Sequence, residues 1–449
     1  MSEGSTGAPT RHPIDWQNPE FYDEQALDKE TRRVFDVCHT CRRCFNLCDS
    51  FPRLFDLIDE SETMELDSVK SEDFGHVVDA CTLCDMCFTA VCPYVPPHEF
   101  GIDFPHLMLR HRAVQYRKGR IRSIDKALTE TDRNGRLGGA FEGLANWANR
   151  TDNKLTRPVL EKIAHVHRDA ALPRFHRQTL VKRARNAPPL NSEAPAHGRK
   201  AVIYATCFGN YNNPGIGTAT QAILAKNGVE TEVVYPRCCG MPQFEQGNLE
   251  RVAEHARSVS AELVPWIDKG YDVVALVPSC ALMFKSEWPL LLPEDEGVEK
   301  LAGATRDAAE YVVEIARNEG LAEGLKPLSG GVALHLACHA RAQNMGPKAQ
   351  ELLKLIPEAD VELVARCSGH GGSWGVKKEN FEVALKVGRP VARKIAQSGK
   401  TFLASECPLA QEHIVQGMAR RDDEDDQPPR QAEHPIQLFA RAYGLHAGA

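Results

Sequence analysis

Between Cys38 and Cys92 the chain writes one pattern twice, and no other stretch restricts its fold so tightly. The first run reads Cys38-x2-Cys41-x2-Cys44-x3-Cys48 and the second Cys81-x2-Cys84-x2-Cys87-x4-Cys92, followed by Pro93, so eight of the 15 cysteines fall in two matching sets. Three thiolates at two-residue intervals can wrap one face of a cubane iron–sulfur cluster as the backbone curls around it, and a fourth further on closes another site. Structural zinc asks instead for two Cys pairs across a longer spacer. Covalent haem needs C-x-x-C-H, and neither Cys41 nor Cys44 is followed by His. A disulfide framework suits a short secreted chain, whereas this one has 449 residues and opens on a polar stretch without the apolar core of a secretory signal.

The two runs resemble those of bacterial two-cluster ferredoxins, in which the fourth Cys of each run ligates the other cluster. That resemblance implies one [4Fe-4S] cluster on Cys38, Cys41, Cys44 and Cys92 and a second on Cys81, Cys84, Cys87 and Cys48. Asp49 stands where such runs often carry Pro, and the second run has one extra residue before Cys92. Phe45, Leu47, Phe88 and Tyr94 interleave with the thiols and are expected to keep water off the clusters, since burial and hydrogen bonding to sulfur tune their potential.

A net charge of −7 gives no global attraction to nucleic acid, and no apolar run reaches the 18 residues of a membrane span. The cysteines therefore read as metal ligands and redox thiols in a reducing cytoplasm. The expected organisation is multidomain. A flexible tail (1–19) precedes an α-helical, two-cluster ferredoxin-like domain (20–105), a helical basic region (106–185) and a Pro/Asn/Ser-rich linker (186–199). Two tandem α/β parallel-sheet modules follow (200–325 and 326–449). Within the basic region Arg110, Arg112, Arg117, Lys118, Arg120, Arg122 and Lys126 lie close together. Two readings stay open for them: a solvated helix face, or a surface for an acidic redox partner or anionic lipid head groups at the inner membrane face. The acidic segment between the Cys runs reads as a helix or loop at the surface.

Beyond the linker, strand-like runs at 201–206, 231–235 and 272–277 alternate with helical stretches, an order that predicts a parallel sheet with helices on both faces. Cys207, Cys238-Cys239-Gly240 and Cys280 each lie just past the carboxyl end of one strand. Ligands bind at that edge of such sheets, so these four thiols are expected to converge. The pattern then repeats at a nearly constant offset: runs at 332–337, 361–365 and 401–405 end at Cys338, Cys367 and Cys407, the mark of two copies of one module. Adjacent cysteines suit a multi-iron cofactor better than one tetrahedral ion, so the first module offers ligands for a further cluster or metal. The second copy carries Ser368 in place of the second vicinal Cys, with His339, His370 and His413 nearby. This suggests a mixed Cys/His site or a reactive Cys367. The tract 421–430 reads as a solvated acidic loop before a last helix. The stretch Gly215–Thr220 only faintly resembles a dinucleotide fingerprint, and neither flavin nor nicotinamide is expected in this chain.

Taken together, CTLCDMCF, YPRCCGMPQFEQGN, CSGHGGSWGVKKENF and EHPIQLF resemble the heterodisulfide reductase-related iron–sulfur oxidoreductases, a family that includes the cysteine-rich iron–sulfur component of anaerobic glycerol-3-phosphate dehydrogenase. The resemblance runs from about residue 30 onward. It implies a cytoplasmic electron-transfer subunit working with a redox partner, either a flavoprotein dehydrogenase or a rubrerythrin-like protein, and Cys-Cys-Gly modules able to hold a non-cubane cluster. Each family module offers five cysteines ending in C-x-x-C, whereas here Met283 and Ala410 occupy the last positions and Ser368 one of the pair. The remaining expectations are an electron relay ending at Cys207, Cys238, Cys239 and Cys280, a disulfide reductase acting through Cys238 or Cys239, or a second half that only recognises a partner.

Overall fold

In the computed structural model, which describes residues 9–421 and 426–445, the N-terminal unit is helical. The helix Glu24–Cys41 starts on Asp23, whose carboxylate accepts the Ala26 N–H (2.7 Å), and stops where Arg42 turns left-handed (φ 51°). That stop places Cys38 and Cys41 one turn apart at its end and bends the chain back toward Cys44. A phenylalanine core holds the unit together. Phe35 meets Phe74 edge-on at 5.1 Å between ring centroids, and Phe51 lies 4.7 Å from Phe104, the first residue of the helix Phe104–Arg117. The acidic connection contains the helix Ser50–Asp59 and is pinned by buried Leu66 and Val69.

Two four-stranded parallel sheets follow. The first holds β1 (Lys200–Tyr204), β2 (Glu230–Val234), β3 (Asp272–Ala275) and β4 (Thr305–Asp307) in the order β2-β1-β3-β4. In the second, β5 (Val332–His335), β6 (Val361–Val364), β7 (Phe402–Ser405) and β8 (Gln431–Glu433) take the order β6-β5-β7-β8. The shared order is the structural form of the sequence repeat. β1, β3, β5 and β7 carry nearly continuous buried residues, as central parallel strands must. The edge strands β4 and β8 escape sequence reading because each has only three residues, Thr-Arg-Asp and Gln-Ala-Glu, with no apolar run.

Several segments expected to be loose are held in place. Residues 9–19, expected to trail freely, pack: Ile14 is buried and its N–H donates to the Leu290 carbonyl (2.8 Å), while Arg11 enters a buried ion network. The stretch 186–199 lies on the first sheet's helices, with Ala194 and Ala196 buried and the Asn191 N–H donating to the Ala225 carbonyl (3.0 Å). The basic stretch is largely engaged within the protein. Arg110 bonds the Phe21 carbonyl (2.6 Å), Arg117 lies over the Tyr22 ring (4.2 Å), Lys118 pairs with Glu24, and Arg122 pairs with Asp125 (2.7 Å). The acidic tract falls partly outside the described residues; its Arg421 pairs with Asp426 at 2.6 Å.

Candidate iron–sulfur and thiol site

Cys38, Cys41, Cys44 and Cys92 line one pocket with Val37, Phe51, Tyr94 and Ile102. Cys48 instead faces Cys84 and Cys81, and Cys87 lies among Cys84, Cys81 and Cys48. Cys92 thus lies with thiols of the first run and Cys48 with thiols of the second, the crossed arrangement that the resemblance to two-cluster ferredoxins implies. Among the described residues no three His, Cys, Asp or Glu side chains close on one point as ligands of a single ion would. Thiols ringing a pocket suit a cluster in which each iron takes one thiolate.

Two further features fit that group. Backbone N–H groups of Ser50 and Phe51 point at Cys48, that of Leu83 at Cys81, that of Met86 at Cys84, and those of Tyr94 and Val95 at Cys92. Leu83 and Asp85 take left-handed backbone (φ 49° and 62°), which curls the loop around its centre. Burial also pushes the Cys44 and Cys84 thiols up to about 12 and raises Cys38, Cys48 and Cys87 well above the ordinary range. Thiols so disfavoured as anions become ligands only where metal charge compensates them.

In the first module β1, β2 and β3 deliver their thiols to one place. Cys207 Sγ and Cys238 Sγ are 3.9 Å apart, and Cys239 lies between Cys238 and Cys280. The Gly240 N–H donates to Cys238 Sγ (3.4 Å) from a left-handed turn (φ 85°), which explains the glycine after the vicinal pair. The Cys238 N–H donates to Asp132 Oδ2 (3.0 Å), and the Tyr235 hydroxyl donates to the other oxygen of the same carboxylate. The buried Thr131 hydroxyl has no oxygen or nitrogen partner and lies against the sulfurs of both Cys207 and Cys238. His255 Nδ1 donates to the Cys238 carbonyl (2.9 Å), and Trp288 Nε1 to the Cys239 carbonyl (3.2 Å). The three thiols are coupled to one another: contacts with Cys207 and Cys239, against the opposing effect of burial, shift Cys238 down, and the same contacts shift Cys207 and Cys239 up.

Sequence reasoning misses Thr131, Asp132 and His255. The first two come from the helix Thr131–Ala140, more than a hundred residues before Cys238, and nothing in their spacing ties them to the thiols.

The second module repeats the local geometry with fewer thiols. The Gly369 N–H donates to Cys367 Sγ (3.3 Å) from a left-handed turn (φ 78°), as Gly240 does for Cys238, and Ser368 takes the second Cys place. Cys338 lies near Cys367 and Cys407, with Cys367 exposed and the other two half-buried. The His370 and His413 rings are 6.0 Å apart, and Nε2 of each is buried with no partner among the described residues. Burial holds His370 down at about 3 and lowers His413, which favours the neutral form of both rings.

These sites adjoin one another. Cys84 of the ferredoxin-like unit is a neighbour of Cys338 and Cys367. A Cβ on Gly371 (φ 55°) would sit 2.5 Å from Thr82 Cγ2, so only glycine allows this close approach of the Cys367 loop to the Cys81–Cys84 loop. The helices Pro278–Leu282 and Cys338–Ala342, which carry Cys280 and Cys338, pack together. His339 lies in that seam beside the Leu83 carbonyl, with its Nδ1 2.8 Å from Ser279 Oγ. Arg112 ties the same region from behind, donating to the carbonyls of Glu245 (2.9 Å), Val78 (2.9 Å) and Cys81.

Comparison with known proteins agrees with this architecture. Residues 31–118 match the Citrate utilization protein B Fer4-like domain, and residues 201–285 and 332–413 each match the Cysteine-rich domain. A subunit of the anaerobic glycerol-3-phosphate dehydrogenase of Escherichia coli (strain K12) is 26% identical over 320 residues, covering 70% of this chain and 76% of that protein. A subunit of the fumarate reductase (CoM/CoB) of Methanothermobacter marburgensis is 26% identical over 229 residues, 50% of this chain and 43% of the relative. Lactate utilization protein A of Bacillus pumilus is 29% identical over 187 residues, 40% of this chain and 75% of the relative. The chain is therefore an iron–sulfur protein with one Fer4-like domain and two cysteine-rich domains, homologous to this subunit of anaerobic glycerol-3-phosphate dehydrogenase and to the iron–sulfur proteins related to heterodisulfide reductase.

Proposed function

We propose that this chain is an electron-transfer subunit in which two [4Fe-4S] clusters exchange electrons with the thiol sites of the second half. The first cluster is held by Cys38, Cys41, Cys44 and Cys92, the second by Cys48, Cys81, Cys84 and Cys87. The observation that carries this reading is the seam in which the Cys84 loop lies on the Cys367 loop, with His339 beside the Leu83 carbonyl and bonded to Ser279, the neighbour of Cys280. Bound clusters supply one-electron steps, and the protein fixes their spacing, excludes water and aims N–H groups at their sulfurs. Cys338, Cys367 and Cys407, joined by the unpartnered His370 and His413 nitrogens, are the next stop; neutral imidazole and thiolate together suit a transition metal. Cys207, Cys238, Cys239 and Cys280 form the terminal site. Its electrons pass to or from a redox partner, a flavoprotein dehydrogenase or a rubrerythrin-like protein, in keeping with relatives named as subunits of a dehydrogenase and a reductase.

The close approach of the Cys207 and Cys238 sulfurs favours one second reading, reduction of a substrate disulfide. The Cys238 thiolate attacks one sulfur and expels the other half as a thiolate. Cys207, 3.9 Å away, then displaces the remaining half and forms a Cys207–Cys238 disulfide. Two electrons, which clusters held by the two Cys runs would supply one at a time, and two protons would restore both thiols.

The test is iron and acid-labile sulfide analysis of anaerobically purified protein, with electron paramagnetic resonance of the reduced sample. More than about eight irons per chain, with a signal lost in Cys239→Ala, supports the relay. About eight irons, with thiol-dependent turnover abolished by Cys238→Ala, supports the disulfide chemistry. Fewer than four irons, with no cluster signal, refutes both.

A further inference from the structure

Seven of the eleven large hydrophobic side chains most exposed among the described residues fall within residues 137–163. Leu137, Phe141, Leu144 and Trp147 stand on the consecutive helices Thr131–Ala140 and Glu142–Asn149 and the joint between them, 47–64% exposed. Leu155, which caps the helix Thr156–Ala164, and Val159 and Ile163 within it recur every fourth residue, 53–76% exposed, and so form one stripe.

The inner sides of these helices are firmly held. A Cβ on Gly135 would collide with the Tyr211 ring and one on Gly138 with the Phe175 ring, and buried Arg157 donates to the carbonyls of Arg168 (2.7 Å), His167 (2.8 Å) and Ala170 (2.6 Å). The outward apolar face is therefore a fixed property of the fold, and patches of this kind mark interaction sites.

Its charge indicates what covers it. Lys154 and Lys162 within this segment, and Arg133 and Arg136 on the helix Thr131–Ala140 that leads into it, are exposed, and none has a carboxylate in ion-pair range among the described residues. In a chain of net charge −7 this is a local excess of positive charge. Apolar tips spread over three short helices, one of them Trp, with Lys and Arg beside them, match the composition of a surface that lies in the plane of a bilayer. Long cationic side chains there reach the head groups while leucines enter the acyl boundary. A protein partner would instead call for anchors gathered into a shaped, desolvated pocket.

We propose that the outer face of residues 137–163 docks on an anionic lipid surface. No described helix is long and apolar enough to cross a membrane, so the contact lies in the plane of the interface. Thr131 and Asp132, which hold the Cys207/Cys238 pair, begin the same helical segment, so docking also sets the side from which the first thiol site meets its partner.

The experiment is flotation of the full-length, anaerobically prepared protein with vesicles of phosphatidylglycerol and phosphatidylcholine, against phosphatidylcholine alone. The expected result is binding to the anionic vesicles only, weakened by salt. The double variant Leu144→Ser/Trp147→Ser should bind about tenfold or more weakly, and Lys154→Ser/Lys162→Ser should lose binding mainly at low salt. Iron content and circular dichroism of each variant establish that it is folded, and solution electron transfer should not change, which separates this outcome from failure of the relay. Absence of flotation with the anionic vesicles, or unchanged flotation of the first double variant, overturns the proposal. So does a dimer that dissociates in that variant without any lipid binding, which would give the face to a second copy of the chain.

Discussion

Arg11 is the most informative residue to remove. Its guanidinium bonds Asp85 (2.8 Å), Asp103 (2.8 Å) and Glu287 (3.2 Å), lies 4.3 Å over the Phe88 ring, and so joins the N-terminal segment, the second Cys run and the first α/β module. His106 completes the group by bonding Glu287 (3.0 Å); burial and Arg11 push its pKa down, but Asp103 and Glu287 outweigh them and raise it. Arg11 and His106 thus face three carboxylates whose side chains are 3–21% exposed. Arg11→Ala leaves His106 alone against three acids. Removing one partner from a buried ion pair costs about 3–5 kcal/mol, and Asp85, already raised by burial, limits the loss by taking up a proton, so about 3 kcal/mol is expected at neutral pH. Because Asp85 lies between Cys84 and Cys87, the loss should be felt at the second cluster set. The assay is anaerobic urea unfolding followed by visible absorbance, with iron analysis and limited proteolysis of residues 9–19. Arg11→Lys should fall between, since an ammonium keeps the charge but not the fork that reaches three carboxylates. A change below about 1 kcal/mol in Arg11→Ala, with iron retained, would refute the reasoning.

Gly371→Ala should cost about 1–3 kcal/mol, from overpacking against Thr82 and from its left-handed backbone. It should also alter the spectrum of the second cluster; a variant identical to the parent in stability and spectrum removes the close contact from the account. Glu245 is raised to about 7 by burial, with Arg112 and Lys377 opposing. Its unfolded form releases its proton near the ordinary 4.5, so the stability present below that pH is lost as pH rises through 7. Glu245→Gln should therefore gain on the parent between pH 5 and 8 by at most about 3 kcal/mol, and a difference independent of pH sinks the claim. Thr131→Val should raise the Cys238 pKa, read in cluster-free protein as a shift to higher pH of its thiolate ultraviolet absorbance against a Cys238→Ser background; an unchanged titration excludes the hydroxyl as a donor.

The fold was legible wherever one kind of residue had to recur at a fixed interval. Both Cys runs, the strands ending at cysteines and the duplication all follow from spacing, and β1, β2, β3, β5, β6 and β7 appear within a residue or two of their expected starts. The partners of the thiols were not legible, because they come from elements whose sequence records other demands. Asp132 reads as an ordinary first-turn acid at a helix start, and Arg112 as one more cation in a basic stretch, although it reaches three carbonyls of the interior. His339 could be noticed beside Cys338, but its contact with Ser279 depends on two modules meeting face to face, and no local pattern encodes that meeting. The N-terminal segment misled for a related reason: a polar, Pro-containing stretch with a single arginine looks solvated until the three carboxylates that receive it are known.

The seam joining the Cys81–Cys84 loop to the Cys367 loop has a kinetic consequence. Both loops belong to one polypeptide and are pressed together by Gly371 and Thr82, so each presents the other with a fixed effective concentration that dilution cannot lower. Exchange across the seam should be first order and independent of protein concentration, whereas exchange with a separate partner is second order and open to regulation by the abundance of either protein. A single chain of this design confines control to its outer surfaces and leaves the internal step constant.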